Sequence, residues 1–253
     1  MSSHTTRSTW SVIATAIALL LSAPSILPAN AAPADDPLAG AAAVGECRAY
    51  TIKDFESAHE SSAAVDCAGP HTALVVAVKI VPKRVKLSGA PSAGLQRFVT
   101  KACNDAWGNA IGAGHKQGHL VVYTRSWFTP TKSQLAAGAR WVRCDVNAYD
   151  DKQLGNLPPV TPFVDGGIDA GDRRCLTGKL NVVPCTASHQ WISRGIVKMP
   201  DGRYSVARQD AFAKRRCPSA IQKRVDKRFL WWRVSESSWR SGERHITCYG
   251  NGG

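Results

Sequence analysis

Eight cysteines and two matched histidines are the residues of this sequence best suited to chemistry. Four cysteines fall in each half, and each half contains a Cys-x-x-x-His motif, Cys67 to His71 and Cys185 to His189. Thiols and imidazoles of this kind can form disulfides, bind zinc, or act as a nucleophile beside a base. The compartment in which the chain folds decides among the three.

The N-terminal sequence predicts export. Arg7 precedes an uncharged, mostly apolar stretch over 11–27, and residues 29–31, Ala-Asn-Ala, form a small-x-small pattern typical of signal peptidase sites. We therefore expect residues 1–31 to be a cleaved signal peptide and the mature chain to start near Ala32. The alternative is an uncleaved membrane anchor, but the stretch is shorter than the roughly 20 residues that span a bilayer, and prolines interrupt it.

An even number of cysteines in an exported chain predicts disulfides. Four cysteines in each half allow three pairings. We favour first with second and third with fourth, because the first two lie on neighbouring strand-like segments and the third lies on a helix that can pack against the strand carrying the fourth. The expected bonds are Cys47–Cys67, Cys103–Cys144, Cys175–Cys185 and Cys217–Cys248.

The sequence favours zinc binding and catalysis less than disulfide bonding. Zinc requires reduced thiolates, and neither half has the closely spaced cysteine pair usual in structural zinc sites. We expect His71 and His189 to be buried turn residues that hydrogen-bond the backbone, and His115 and His119 to be solvated loop residues. No metal site, cofactor or catalytic residue is predicted, because motifs of serine hydrolases, zinc proteases and P-loop enzymes are missing from the sequence and no thiol remains unpaired.

The two halves also end alike, which predicts a tandem duplication. In each half a tryptophan is followed by glycine and arginine, six and four residues before the last cysteine. These residues are Trp127, Gly138, Arg140 and Cys144 in the first half, and Trp232, Gly242, Arg244 and Cys248 in the second.

The sequence pattern of each half predicts strands around one main helix. Apolar residues recur at steps of three and four, which is the pattern of a helix with one buried face. The two faces are Leu95, Phe98, Val99, Ala102, Cys103 and Ala106, and Ala213, Cys217, Ala220, Ile221 and Val225. Pro218 should kink or split the second helix. Because strands are grouped around a helix and do not alternate with helices, we predict the α+β class, with two small disulfide-stabilised units.

The predicted chain has five segments. After the signal peptide, 32–42 is a flexible leader, 43–150 is the first unit, and 172–250 is the second unit. The segment 151–171 between the units has three prolines, four glycines and no sustained period, which indicates a linker.

Positive charge is concentrated in the second unit. The whole chain has a formal net charge of +13, with 13 basic and 8 acidic residues in 43–150 but 17 and 6 in 171–253. The candidate basic binding face consists of Arg208, Lys214, Arg215, Arg216, Lys223, Arg224, Lys227 and Arg228. On a helix these side chains form a cationic outer surface, which either solubilises the protein or binds an anionic cell-wall polymer, an anionic lipid surface or an envelope protein. Because the chain is expected to be exported, no nucleic-acid partner is predicted for this surface.

The ordered motifs resemble the septum-formation domain family of exported or membrane-tethered actinobacterial proteins. Its Gly-x-Cys opening stands at 45–47, its Cys-x-x-Pro-His step at 67–71, and its closing Gly-x-Arg…Cys segment at 138–144. The resemblance covers about 43–150 and 172–250, as two tandem copies, and implies a part in building the division septum without any established reaction. We therefore expect a secreted, non-enzymatic cell-envelope protein. An envelope-acting hydrolase of unrecognised type and a secreted inhibitor or ligand-binding module are the alternatives.

Overall fold

Two antiparallel sheets form the framework of the residues that the computed structural model describes, which are 36–87, 89–221 and 228–252 apart from the side chain of His115. The first sheet contains β1 (Cys47–Arg48), β2 (Ala64–Val65), β3 (Ala73–Ile80), β4 (Tyr123–Phe128), β5 (Trp141–Asp150) and β6 (Gln153–Gly155). The second contains β7 (Arg174–Leu176), β8 (Val182–Pro184), β9 (Trp191–Lys198), β10 (Phe229–Trp232) and β11 (His245–Asn251).

One long helix belongs to each sheet, and the remaining helices are single turns. In chain order they are α1 (Ile52–Phe55), α2 (Ala93–Ile111), α3 (Gly114–Gln117), a 3₁₀ turn (Gly118–Leu120), α4 (Lys132–Ala136), α5 (Val206–Ala220) and α6 (Glu236–Arg240). Both long helices begin after a serine: the Ser92 hydroxyl accepts a hydrogen bond from the backbone N–H of Leu95, and Ser205 does the same for Arg208. Such caps satisfy backbone donors that have no partner within the helix. Pro218 lies in the last turn of α5, which ends two residues later.

The two sheets repeat one order of elements. The strand order is β2-β1-β3-β5-β4 in the first and β8-β7-β9-β11-β10 in the second, and in both the long helix follows the third strand in sequence. Strand β6, which pairs with β5, has no counterpart among the described strands of the second sheet. Helices gathered beside antiparallel sheets confirm the predicted α+β class.

All eight cysteines are disulfide-bonded, in the pairs that the sequence favours. Cys47 is joined to Cys67 and Cys175 to Cys185 beside the first strands of each sheet. The other two bonds join each long helix to a central strand of its sheet: Cys103 of α2 to Cys144 of β5, and Cys217 of α5 to Cys248 of β11. The paired Cα atoms lie 5.0–5.5 Å apart, within the usual range for disulfides.

The strand register corrects the predicted match between tryptophans. Trp127 of β4 lies opposite Cys144, whereas Trp231 of β10 lies opposite Cys248. Trp232, which the sequence comparison aligned with Trp127, points away from this position and is 45 % exposed. The prediction was wrong by one residue, because side chains on a strand alternate between its two faces.

The segment 151–171 connects the sheets and is also part of the core. Phe163 and Val164 are buried among the residues of the first sheet and its helix. Their backbone N–H groups donate to the carbonyl oxygens of Ala110 and Ile111 at 3.1 and 3.0 Å. The segment therefore satisfies carbonyl groups that have no partner within α2 at its C-terminal end.

The leader predicted over 32–42 is described from residue 36 onward, and this part contacts the start of β5. The indole N–H of Trp141 donates to the carbonyl oxygen of Ala39 at 3.0 Å, and the backbone N–H of Arg140 donates to that of Pro37 at 2.8 Å. Residues 36–42 are thus held against the first sheet.

Backbone pairing joins the two halves in a way that the sequence did not predict. Strand β4 begins at Tyr123. Before β4, Val121 forms a β-bridge with Arg173, and the Val122 N–H donates to the carbonyl oxygen of Asp172 at 2.8 Å. The two sheets accordingly belong to one compact unit.

Candidate functional site

Three consecutive cations on α5 form the exposed centre of the predicted basic face. Lys214, Arg215 and Arg216, called the basic triplet below, are exposed, whereas the flanking Ala213 and Cys217 are fully buried. With 3.6 residues per turn, residues 213 and 217 share the buried face and the three residues between them point away from it. The disulfide of Cys217 fixes this orientation of the helix.

The remaining members of the predicted face differ from the triplet. The guanidinium group of Arg208 donates to the carbonyl oxygens of Pro200, Asp201 and Arg203 at 2.9–3.2 Å, so this residue holds a loop. Arg228 Nη2 lies 2.9 Å from the side-chain oxygen of Asn251, with the amide oriented so that this oxygen accepts. Three further predicted members lie outside the described residues. They are Lys223, Arg224 and Lys227.

The carboxylate nearest to the triplet in sequence is already bonded elsewhere. Asp210 accepts two hydrogen bonds from Arg233, at 2.6 and 3.0 Å, and one from the indole N–H of Trp231 at 2.8 Å. The Arg233 hydrogen bonds hold the pKa of Asp210 below its usual value. Within 36–87, 89–221 and 228–252, the ion pairs of the structure do not involve Lys214, Arg215 or Arg216.

The fold adds one cation that sequence reasoning missed. Lys198, at the exposed end of β9, lines a shallow depression together with Arg216, Phe212 and Ser219 of α5. Lys198 is remote from the basic run in sequence, and only the packing of α5 on β9 brings the two together. Its charge extends the basic surface from the helix onto the sheet.

The two matched histidines have one structural role. His71 Nδ1–H donates to the carbonyl oxygen of Gly69 at 2.9 Å, and His189 Nδ1–H donates to that of Ala187 at 2.8 Å. Each imidazole ring therefore stabilises the turn before it, through a hydrogen bond to the backbone two residues earlier. The sulfurs next to His189 are disulfide-bonded and cannot act as the thiolate ligands that zinc requires.

The matched glycines and arginines fix the loops between strands. Gly138 and Gly242 follow α4 and α6 with φ angles of 92° and 99°, a region that favours glycine. Arg140 then donates from Nη2 to the carbonyl oxygens of Pro82 and Val85 at 2.9 and 2.8 Å.

Arg244 has the corresponding role in the second half. Its Nη1 donates to the carbonyl oxygen of Trp239 at 2.7 Å, and its guanidinium carbon lies 4.0 Å from the centre of a Trp239 ring. Its Nε also donates to Asp201 at 3.0 Å. Like Arg140, this residue stabilises a loop through backbone contacts.

A buried polar network lies on the face of the first sheet opposite α2. Arg143 of β5 donates two hydrogen bonds to Asp145, both at 2.9 Å, and two to Glu60, at 2.5 Å to the carboxylate and at 3.4 Å to the backbone carbonyl oxygen. The Tyr50 hydroxyl donates to Asp145 at 3.2 Å and also contacts Ser126. These side chains are 0–8 % exposed. The alternation of polar and apolar residues along β5 was the sequence pattern that could have revealed the network.

Burial dominates the electrostatics of this network. It raises the pKa of Asp145 to about 6, although the charge and hydrogen bonds of Arg143 act in the opposite direction. A carboxyl group of raised pKa is typical of some active sites. Here, however, the Asp145 side chain is fully buried and bonded to Arg143 and Tyr50. The arrangement therefore connects β5 to the segment that covers it.

The Asp145→Asn variant should change the pH dependence of stability. Since burial raises the pKa of Asp145 in the folded state from 3.8 to about 6, the neutral form favours folding below pH 4 and this contribution disappears as the pH rises through 6. Relative to the variant, the wild type should lose about 2.4 kcal/mol of unfolding free energy between pH 4 and pH 7. Urea unfolding at several pH values measures this difference.

Asp54→Asn is the control for the sign of that effect. Hydrogen bonds from Thr51 lower the pKa of Asp54, which lies at the start of α1. The wild type should therefore gain stability relative to this variant as the pH rises. The same trend in both variants would contradict the assignment of the effect to the buried position.

The comparison with known families gives one match. A family model described as Septum formation matches residues 44–248 and thus spans both sheets. No curated protein and no solved structure matches the chain. Among the described residues, no helix combines the length and the apolar character needed to cross a lipid bilayer.

Proposed function

Because the chain belongs to the Septum formation family, we propose that it is a secreted, non-enzymatic protein of the cell envelope that binds an anionic envelope polymer through the basic triplet. Membership confirms the resemblance found from the motifs and supports a septum-related role in the envelope. The four disulfides fit an extracellular protein, because such bonds persist in oxidising compartments.

The observation that carries the proposal is the exposure of three adjacent cations without an ion-pair partner among the described residues. A surface that only solubilises a protein normally intersperses charges of both signs. Here Asp210, the acidic residue of α5, is hydrogen-bonded to Arg233 and Trp231, and its charge acts on Lys214 only at longer range than an ion pair. Lys198 adds positive charge at the neighbouring depression.

A polymer bearing phosphate or carboxylate groups fits this surface. Each cation near an anionic surface contributes about 1 kcal/mol, an effect measured on membranes and screened within about 8–10 Å by physiological salt. Three cations held on one helix can contact successive anionic groups of one polymer chain. An anionic lipid surface or an acidic envelope protein would be recognised by the same charges, and the experiment separates these ligands.

The direct test measures retention of the purified protein on isolated cell walls over a series of salt concentrations. The variant Lys214→Gln/Arg215→Gln/Arg216→Gln should bind about 100-fold more weakly at low salt, because three contributions of about 1 kcal/mol are removed. Wild-type binding should itself weaken as salt rises. Retention that does not depend on salt contradicts the proposal.

A matched control removes the same charge from the first half. Lys83, Arg84 and Lys86 are also exposed and closely spaced, and their replacement by glutamine changes the net charge equally. This variant should retain binding close to that of the wild type. Equal weakening in both variants would mean that net charge alone drives retention. Binding to anionic vesicles but not to walls would assign the surface to lipid.

A further inference from the structure

A cluster of two imidazoles and one carboxylate lies where the two halves meet. His119 comes from the 3₁₀ turn of the first half, whereas His245 is the first residue of β11 in the second half and Glu243 lies two residues before it. His119, predicted as a solvated loop residue, has a side chain that is only 18 % exposed, and Glu243 and His245 are 9 % and 15 % exposed. We propose that these three residues bind a Zn²⁺ ion that links the halves.

The distances within the cluster fit zinc coordination. His119 Nε2 lies 3.3 Å from Glu243 Oε2, and His245 Nδ1 lies 2.9 Å from Glu243 Oε1. Zinc bonds of about 2.0–2.1 Å place tetrahedral ligands about 3.3–3.4 Å apart, and ligands at right angles about 2.9 Å apart. The three donor atoms already lie within 4.8 Å of one another. Donor atoms that are 4.8 Å apart would therefore have to approach each other by about 1.4 Å to reach the tetrahedral separation of about 3.4 Å.

Hydrogen bonds hold the carboxylate in place. Glu243 Oε1 accepts from the backbone N–H groups of Arg244 and His245, both at 2.7 Å. On the other side, the backbone of the His119 turn is attached to the second sheet, since Ser193 Oγ donates to the Leu120 carbonyl oxygen at 2.9 Å. Such outer contacts fix the orientation of metal ligands and increase affinity.

The chemistry of the donors selects the metal. Two imidazole nitrogens and one carboxylate oxygen are ligands typical of Zn²⁺, whereas Ca²⁺ and Mg²⁺ prefer sets made only of oxygen. Histidine and glutamate also remain competent ligands where cysteines are oxidised. Three protein ligands leave a fourth zinc position to water. Glu243 in addition lines a groove between the halves with Arg125, Trp127 and Ser238.

This inference is independent of the basic triplet, and metal binding tests it directly. The full-length protein, stripped with EDTA, should bind one Zn²⁺ per chain with micromolar or tighter affinity in isothermal titration calorimetry. His119→Ala and His245→Ala should each weaken binding about 100-fold, and Glu243→Gln should weaken it while keeping the shape of the side chain. Zn²⁺ should raise the midpoint of thermal unfolding of the wild type and not of His119→Ala.

His59→Ala is the matched control, because His59 is an exposed histidine outside the cluster. This variant should bind Zn²⁺ as the wild type does, and neither Ca²⁺ nor Mg²⁺ should compete. Two results would overturn the proposal: no saturable Zn²⁺ binding below about 1 mM, or equal affinity in His59→Ala, His119→Ala and His245→Ala. Circular dichroism of each variant shows whether lost binding follows from unfolding, and Glu243→Gln provides a second test if an alanine variant does not fold.

Discussion

Arg143→Met should lower the free energy of unfolding at pH 7 by about 3–5 kcal/mol, because it removes the cation between two buried carboxylates. Asp145 and Glu60 both accept hydrogen bonds from Arg143, and all three side chains are at most 2 % exposed. Without the guanidinium group, negative charge remains in the interior with few compensating partners. The variant also loses the contact of Arg143 with the ring of Phe128, at 4.7 Å from its centre.

The loss caused by Arg143→Met should shrink in acid. Protonation neutralises Asp145, whose pKa burial raises to about 6, and a neutral carboxyl group costs much less to bury than a charged one. The difference between wild type and variant, measured by urea unfolding, should therefore be smaller at pH 4 than at pH 7. A difference that does not change with pH would indicate that packing, and not charge, is the main contribution of this residue.

Arg240→Met is the matched control for the Arg143 variant. Arg240 pairs with Glu236 one helical turn away in α6, at 2.5 Å, but its side chain is 68 % exposed. Solvent screens such pairs, so the same substitution should cost less than about 0.5 kcal/mol there. Similar losses at both positions would contradict the link between burial and the strength of the effect.

Local patterns in the sequence predict the covalent framework and much of the element order. The apolar face that contains Cys103 corresponds to a helix packed on its sheet, and the strand that ends the first half contains Cys144. Both features depend on the spacing of nearby residues, which periodicity reveals. The α+β class follows from the same patterns.

Contacts between distant residues were not predictable from those patterns. Glu60 and Arg143 are 83 residues apart in sequence and meet only because a segment folds over β5. His119 and Glu243 come from different halves, and their proximity depends on how the sheets are joined. Charge spacing alone also could not distinguish Arg208, which binds loop carbonyl groups, from the exposed triplet. Register and packing determine each of these outcomes.

Removal of the Cys103–Cys144 bond should cost about 4 kcal/mol, the largest loss among the four disulfides, because this bond closes the longest loop. The two cysteines are 41 residues apart, and the stabilisation from restricting the unfolded chain grows with the logarithm of loop length. Both residues are also fully buried, between α2 and β5. The variant Cys103→Ala/Cys144→Ala, compared with the wild type by urea unfolding without reductant, measures the loss.

The short loop closed by Cys175–Cys185 provides the comparison. These cysteines are 10 residues apart, so the same chain-entropy relation gives about 3 kcal/mol for Cys175→Ala/Cys185→Ala. The long-loop variant should also have the larger packing loss, because Cys103 and Cys144 both belong to the core cluster between helix and sheet. If the short-loop variant were the less stable of the two, neither loop length nor burial would account for the contribution of these bonds.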